Sequence, residues 1–296
     1  DFETYKKLLK QGEFQEGELK RALFGAINKN TKPIYLEMLL KNKVNPNLKD
    51  GYDRTPIFLA SKNGYTEICR ILLKSNIPKD ELEKALLIAA KNGHIGVTKL
   101  LVEKGVSINA KNKSDYSPLL LAMEGTKPGH KKVVQFLLQN NADLAVKENN
   151  KVKFSALNEA FNNALSISAS GEKEDYLEYV KMILEKGIDL YAEVDPSPSY
   201  SIFEYAIKLN DIEIMRLLIK NKNNSNPTEK ELQHFLAPFL IQAVLEGNTP
   251  FVSYLLERGT DPNTKTVNKE SALSVAVSKG NYGIVKILLE NNADPN

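Results

Sequence analysis

The sequence predicts an all-α fold in which about eight helix–turn–helix units stack on one another. The first observation is a segment, residues 50–76, in which two short apolar stretches flank an Asn-Gly-Tyr break. The second is that this pattern returns along the chain at intervals of 29 to 46 residues. The third is an alanine at the middle of the first helix of each unit. One such unit cannot bury its own apolar faces, so we expect copies on either side to cover it.

Residues 50–76 define the unit. Thr55 is expected to accept a backbone N–H bond as the N-cap of the first helix, and Pro56 follows at the first helical position, where its missing N–H does no harm. Gly64 can adopt the positive φ angle that a short turn between helices often requires. Asn76 lies where a left-handed residue would end the second helix.

Two columns of residues carry the repetition. The positions equivalent to Asn76 are Gly or Asn in six of eight units, as a left-handed helix end prefers; they are Lys43, Asn76, Gly105, Asn141, Gly187, Lys222, Gly259 and Asn292. In the alanine column a larger side chain would overpack the contact between neighbouring helices. Its members are Ala26, Ala60, Ala89, Ala122, Ala160, Ala206, Ala243 and Ala276.

Several motifs resemble those of the ankyrin-repeat family. The family signature T-P-L-H-x-A corresponds to TPIFLA at 55–60 and SPLLLA at 117–122. The turn between helices appears as Gly-His at 93–94 and 129–130, and the family's G-A-D-x-N turn as GTDPN at 259–263. The resemblance implies a solenoid of antiparallel helix pairs joined by β-turn fingers. The signature histidine is absent from every repeat, so we expect less regular hydrogen bonding between neighbouring repeats.

The individual units follow in chain order. Residues 1–16 are expected to form an N-terminal cap or partial repeat, and residues 17–296 one solenoid domain. The first full unit has predicted helices near 19–28 and 33–41. The third has a shortened finger and an acidic first turn that suits the helix dipole. The fourth carries an extra piece, residues 124–129, between its helices.

The later units depart further from the pattern. In the fifth, residues 168–175 are predicted to be an exposed polar loop before a second helix that starts at Tyr176. In the seventh, Pro238 is expected at the start of the first helix. The eighth ends without the polar closing repeat that solenoid ends usually need.

Composition limits the classes of function. The chain has 296 residues, of which 42% are hydrophobic and 26% charged, and no apolar run approaches the roughly 18 residues of a membrane span. We expect no membrane association, and no signal peptide is visible. The single Cys69 excludes an internal disulfide and is predicted to be a small buried hydrophobe. A reducing, cytoplasmic location is expected.

No motif for catalysis is present. The sequence lacks a phosphate-binding glycine loop, H-E-x-x-H, Cys-x-x-Cys and a calcium-loop pattern. His94 and His130 fall in inter-helix turns, where we expect structural hydrogen bonds, and His234 is expected to be solvated. Carboxylate pairs such as Glu172 and Glu174 are also expected in solvated loops. We therefore predict no enzymatic activity, no cofactor and no metal site.

Charge is unevenly distributed. The formal net charge is only +3, but residues 1–110 hold a net +6 and residues 191–296 a net −3. A weak nucleic-acid binder stays an alternative but is not the expected function. A basic N-terminal half would instead attract an acidic partner.

The resemblance implies protein recognition through the finger tips and first helices, which line the concave side of an ankyrin solenoid. We expect a monomeric scaffold that binds a protein partner through an acidic or phosphorylated segment. The Lys/Asn-rich composition is also similar to that of bacterial effectors, which would place the protein in a host cytosol. The alternative is a recruiting module of a larger enzyme. The predicted partner-binding residues lie in the second to fourth units and are Lys49, Tyr52, Arg54, Lys62, Asn63, Lys91, Asn92, Lys113, Tyr116 and Glu124, with Glu81, Glu83 and Lys111 beside them.

Overall fold

A computed structural model describes residues 16–28, 33–148, 151–166, 170–186, 202–223 and 229–295. The chain divides into two compact units, Asp1–Val146 and Lys147–Asn296. Each is described by itself below. The expected N-terminal cap, the Gly187 helix end and the Pro-rich finger after it lie outside the described residues.

The described residues of the first unit form four helix pairs in two rows. The first helices of the pairs, α1, α3, α5 and α7, pack successively in one row, and the second helices, α2, α4, α6 and α8, pack in the other. This arrangement confirms the predicted all-α repeat. The helices are α1 (Glu16–Asn28), α2 (Pro33–Lys41), α3 (Pro56–Lys62), α4 (Thr66–Leu72), α5 (Lys79–Lys91), α6 (Ile95–Glu103), α7 (Pro118–Met123) and α8 (Pro128–Gln139).

The second unit repeats the arrangement with α9, α11, α13 and α15 in one row and α10, α12, α14 and α16 in the other. Two short strands, β1 (Ala145–Glu148) and β2 (Lys151–Ser155), form a two-stranded sheet in the finger that precedes α9. The helices are α9 (Ala156–Ser166), α10 (Ser170–Glu185), α11 (Ile202–Leu209), α12 (Ile212–Asn223), α13 (Glu229–Leu245), α14 (Thr249–Glu257), α15 (Ala272–Ser278) and α16 (Tyr282–Glu290).

The alanine column lies in the core, as predicted. Seven of its eight members are fully buried, and Ala26 is nearly so. Around them the leucine, isoleucine and valine side chains of both rows fill the space between successive repeats. The small column residue therefore permits the close approach of first helices that the sequence indicated.

Most of the predicted left-handed helix ends are confirmed. Lys43, Gly105, Asn141, Gly259 and Asn292 have positive φ angles, as does Gly64 in the turn between α3 and α4. The prediction for Asn76 is wrong, because its φ angle is not positive. The connection from α4 to α5 is too short to hold a finger, and it passes from Leu73 to Lys79 without a left-handed residue at position 76. Lys222 lies within α12 rather than beyond a helix end.

Two predictions for the second unit are corrected. Residues 170–175 are not a loop but the start of α10, so Glu172 and Glu174 lie in a helix. Acidic residues near a helix N-terminus interact favourably with its dipole, which explains why a polar segment is helical there. Pro238 lies inside α13 and not at its start, because the helix already begins at Glu229.

Candidate protein-interaction surface

The finger of the second repeat, residues 49–54, is a tight turn that the side chain of Asp50 holds together. Asp50 Oδ1 accepts hydrogen bonds from the backbone amides of Tyr52 (2.9 Å) and Arg54 (3.0 Å). The backbone closes the turn with a 3.0 Å bond from the Asp50 amide to the Arg54 carbonyl. Asp53 takes a φ angle of +60°, which short polar residues tolerate. The finger is thus a fixed platform for its outward side chains.

The same turn recurs at two other fingers. In the fourth repeat, Asn112 Oδ1 accepts from the amides of Ser114 and Tyr116, both at 2.9 Å. In the last repeat, the hydroxyl of Thr266 accepts from the amide of Glu270 at 3.1 Å. Superposing the three patterns aligns Tyr52 with Ser114 and Asn268, and Arg54 with Tyr116 and Glu270. The side chains displayed therefore differ while the turn is kept.

Tyr52 is the most prominent side chain of the second-repeat finger. It is 80% exposed, and the Arg54 guanidinium lies 4.6 Å from its ring centroid. Arg54 is held in turn by Asp50 through contacts of 2.8 Å from Nε and 2.7 Å from Nη2. Burial favours the neutral form of Asp50, but the hydrogen bonds from Arg54 and from two backbone amides outweigh it and lower the pKa of this carboxyl. Arg54 is therefore a support for Tyr52 as well as a surface cation.

The ends of the first helices form a second group. His94 Nε2 donates to the Lys62 carbonyl at 2.9 Å, and His130 Nε2 donates to the Lys91 carbonyl at 3.0 Å. Asn92 Nδ2 also donates to the Lys62 carbonyl, and Lys91 Nζ pairs with Glu124 at 3.1 Å. These bonds confirm the structural roles predicted for both histidines. They join neighbouring repeats in place of the missing signature histidine.

The predicted site residues therefore fall into two groups rather than one patch. Lys49, Tyr52 and Arg54 lie at the finger end of α3, while Lys62 and Asn63 lie at its other end. The helix has seven residues, of which Lys62 is the last, and this length corresponds to about 10 Å at 1.5 Å per residue. A ligand that touches both groups must run along the row of first helices.

The prediction that Glu81 is a binding residue is wrong. Glu81 is buried, and it accepts hydrogen bonds from the Thr55 hydroxyl at 2.8 Å and from Lys84 Nζ at 2.7 Å. Thr55 stands at the N-cap of α3, where its hydroxyl donates to Glu81 and makes no capping bond. The neighbouring Glu83 is partly exposed and pairs with Lys79 at 3.6 Å.

A long first helix replaces the finger of the third repeat. Ala60 lies four residues after the start of α3, whereas Ala89 lies ten residues after the start of α5. The extra residues of α5 occupy the region where a finger would begin, and they carry paired charges: Lys84 contacts Asp80 at 3.2 Å as well as Glu81. The short segment 77–79 in the sequence was the signal for this replacement.

The predicted partner-binding surface of the second to fourth repeats is less basic than the sequence implied. Lys49 pairs with Asp53 at 2.8 Å, and Arg54 and Lys91 are also paired. Lys62, Lys111 and Lys113 are exposed and form no ion pair with any residue in the described ranges. Counting lysines alone missed the carboxylates four residues away in the same finger, although their spacing is visible in the sequence.

No residue cluster in the described part of the chain has the composition of a metal site. Cys69 is fully buried, as predicted, and its Sγ lies 3.6 Å from the Ser61 hydroxyl. Desolvation raises the pKa of this thiol to about 11, with a partly opposing hydrogen bond from Ser61. Of the helices that are described, none is long and apolar enough to cross a bilayer.

Comparison with known proteins identifies the architecture. A family profile for ankyrin repeats in three copies matches residues 1–82, 74–148 and 203–296. The chain belongs to the ankyrin-repeat family. Ankyrin repeats are in general modules of protein–protein interaction, and the related scaffolds are typically non-catalytic.

Named ankyrin-repeat relatives share parts of this chain. The ankyrin repeat and KH domain-containing protein mask-1 of Caenorhabditis elegans is 27% identical over 179 residues, which are 60% of this chain and 6% of that protein. The ankyrin repeat domain-containing protein 46 of Rattus norvegicus is 31% identical over 136 residues, or 46% of this chain and 58% of that protein. The crystal structure of EF0377, an ankyrin repeat protein, matches with a TM-score of 0.50 and 25% identity, covering 62% of this chain and 91% of that one. The matched region is thus a small part of the mask-1 protein.

Proposed function

We propose that this ankyrin-repeat chain binds a partner protein through the fingers and first-helix ends of its second to fourth repeats, the side that is concave in an ankyrin solenoid. The partner segment is acidic or phosphorylated and carries an aromatic or aliphatic anchor. The observation that carries the proposal is the pair of Tyr52 and Arg54. An exposed aromatic ring held in place by a guanidinium offers contact area with little ordering entropy left to lose on binding.

The remaining charges support an acidic partner. Lys62, Lys111 and Lys113 are exposed without an ion-pair partner in the described residues, and they belong to the repeats on either side of α5. Unpaired rim charges raise the rate of association and select against partners of like charge. An acidic or phosphorylated segment that runs along the row of first helices would meet these lysines one after another.

The proposed setting is a reducing cytoplasm, where the protein acts as a monomer. Its Lys/Asn-rich composition favours a bacterial effector that works in the cytosol of a host cell. The solitary, buried Cys69 is compatible with such a compartment because no structural disulfide is required.

A capture experiment with matched variants tests the proposal. The immobilised chain is compared with Tyr52→Ala, with Tyr52→Ala combined with Arg54→Ala, and with a control that changes the aligned positions of the last finger, Asn268→Ala with Glu270→Ala. A partner that the wild type and the control retain, and that both tyrosine variants lose at least tenfold in affinity, supports the surface. Equal retention by all variants, or a loss that coincides with a lowered melting temperature, contradicts it.

A further inference from the structure

Two turns between helices in the first unit share one sequence and one backbone shape. Lys-Asn-Gly occurs at 62–64 and again at 91–93, and these segments hold the two Asn-Gly pairs of the chain. Asn63 has a φ of −95° and a ψ of −3°, and Asn92 has a φ of −97° and a ψ of 4°. The glycine that follows has a φ of +75° in the first turn and +71° in the second. Both asparagines are exposed, so they form a matched pair.

The side chains of this pair are held differently. Asn92 Nδ2 donates to the Ile88 carbonyl at 3.0 Å and to the Lys62 carbonyl of the preceding repeat at 3.3 Å. Among the residues that the structure describes, none accepts a hydrogen bond from Asn63 Nδ2. The Asn63 amide is therefore free to turn, whereas the Asn92 amide is fixed between two carbonyls.

We propose that Asn63 is a site of spontaneous deamidation, in which an exposed amide at the end of α3 becomes a carboxylate. The glycine after it is a condition for this reaction, because a residue without a Cβ leaves its backbone N–H open to the preceding side chain. The turn requires that glycine: a Cβ on Gly64 would lie 2.6 Å from Nδ1 of His94, and its φ is positive. The fold therefore keeps the pair of residues that reacts.

The reaction consumes water and no other reagent. The Gly64 amide nitrogen attacks Cγ of Asn63, the Cγ–Nδ2 bond breaks, and Nδ2 leaves as ammonia with the proton of that amide. Water then opens the five-membered imide. Attack at Cγ gives aspartate, and attack at the backbone carbonyl carbon gives isoaspartate. In either product residue 63 has lost ammonia and gained water, and at neutral pH the new carboxyl group carries one negative charge.

Ring closure requires the turn to open locally, and this cost is shared by the two sites. The Gly64 amide donates to the Ser61 carbonyl at 3.2 Å, and the Gly93 amide to the Ala90 carbonyl at 3.0 Å. At Asn92 the two side-chain hydrogen bonds must break in addition, which makes the reactive arrangement rarer. We therefore expect Asn63 to react at least five times faster than Asn92.

The consequence for binding rests on the function proposed above. Lys62 is exposed and forms no ion pair with a described residue. A carboxylate at position 63 would compensate this cation and repel an acidic segment that runs along the first helices. Deamidation would thus weaken the proposed interaction irreversibly as the protein ages.

Peptide mass spectrometry of the full chain tests the site. The purified protein is incubated at neutral pH, and the amide-to-acid conversion at positions 63 and 92 is followed over time in buffer and in denaturant. In buffer we expect at least fivefold faster conversion of Asn63. In denaturant the two rates should become equal, because the bonds that hold Asn92 are gone. Equal rates in buffer, no conversion of Asn63, or an unchanged difference in denaturant overturns the proposal.

A second measurement tests the effect on binding separately. The probe is a fluorescein-labelled peptide of glutamates, and its binding is measured by fluorescence anisotropy at low ionic strength. Asn63→Asp should bind it at least threefold more weakly than fresh wild type, whereas the control Asn268→Asp, an equal charge at the last finger, should not. Equal weakening by both variants overturns the effect on binding. A wild type that does not bind the probe contradicts the proposed surface, while the mass measurement still decides the modification.

Discussion

The hydroxyl of Thr55 donates a 2.8 Å hydrogen bond to the carboxylate of Glu81, and both side chains are buried between the second and third repeats. We expect Glu81→Ala to lower the free energy of unfolding by about 1–3 kcal/mol, because the Thr55 hydroxyl is left buried without a partner. Chemical denaturation of the purified chain measures this change. The matched control is Glu83→Ala, which removes only a partly exposed ion pair and should cost under about 1 kcal/mol.

A double-mutant cycle separates this contact from other effects of the substitution. Thr55→Val combined with Glu81→Ala should cost less than the sum of the two single changes, because both partners of the bond are then gone. Additive values would show that Thr55 and Glu81 stabilise the fold independently.

The finger at Asp50 should respond to acid, whereas the finger at Asn112 should not. The pKa of Asp50 is lowered in the folded chain. Its contribution to stability is therefore present above the pKa of the unfolded chain and is lost as the pH falls through the pKa of the folded chain. Amide hydrogen exchange at Tyr52 and Arg54 should therefore accelerate relative to Ser114 and Tyr116 below about pH 4.

Asp50→Asn provides the control, because asparagine already performs this role at position 112. The variant should keep the turn and lose its acid sensitivity. A variant finger that still opens in acid would assign the titration to another group.

The alanine column should not accept a larger side chain. Ala89 lies in α5, which packs against both α3 and α7, and we expect Ala89→Leu to destabilise the chain by about 1–3 kcal/mol through overpacking. Val277→Leu is the control, since its site is open to solvent. Thermal unfolding followed by circular dichroism compares them, and equal melting temperatures would contradict the proposed close packing.

Cys69 should be a reporter of unfolding. Its thiol is buried, and desolvation raises its pKa to about 11, so little reactive thiolate exists at neutral pH. Labelling with a thiol reagent should be slow in buffer and fast in denaturant. Fast labelling in native buffer would mean that α4 opens locally without global unfolding. Above the unfolded thiol pKa of roughly 8.5, stability should fall with rising pH, because the unfolded chain releases the proton first.

Charge reversal at the fourth-repeat finger tests the type of partner. Lys111→Glu with Lys113→Glu should slow association with an acidic segment and reduce its dependence on salt, because two unpaired cations are removed. Stopped-flow measurements at two ionic strengths detect this. The control is Lys265→Glu with Lys269→Glu, an equal reversal of charge at exposed lysines in the finger of the last repeat, outside the proposed surface; an equal effect of both double changes would argue against the assignment.

The sequence predicted the stack because its stabilising features are local and periodic. The column alanines, the glycine turns and the apolar faces of the helices can each be recognised without knowing the neighbours. The burial of Glu81 could not be recognised in this way, because an acidic residue in a first turn usually faces solvent. Its burial depends on Thr55, 26 residues earlier. The contact between Arg54 and the ring of Tyr52 could not be predicted either, because it depends on a turn geometry that the sequence alone does not specify.

The predictions for the start of α10 and for Pro238 were wrong for a different reason. Polarity and a proline favour loops and helix starts, but the packing of a helix on its neighbours can override both preferences. Such tertiary effects are invisible in a single unit of the repeat.

The replacement of the third finger by helix has a practical consequence for protein engineering. In the third repeat, six residues that form a turn in the other repeats are part of helix α5 instead. The helices there still pack in the same two rows. Fingers are therefore exchangeable parts, and the link between Leu72 and Lys79 is a place where a foreign loop could be grafted. A library of loop sequences at this link would vary which partners are bound, while the flanking helices stay unchanged.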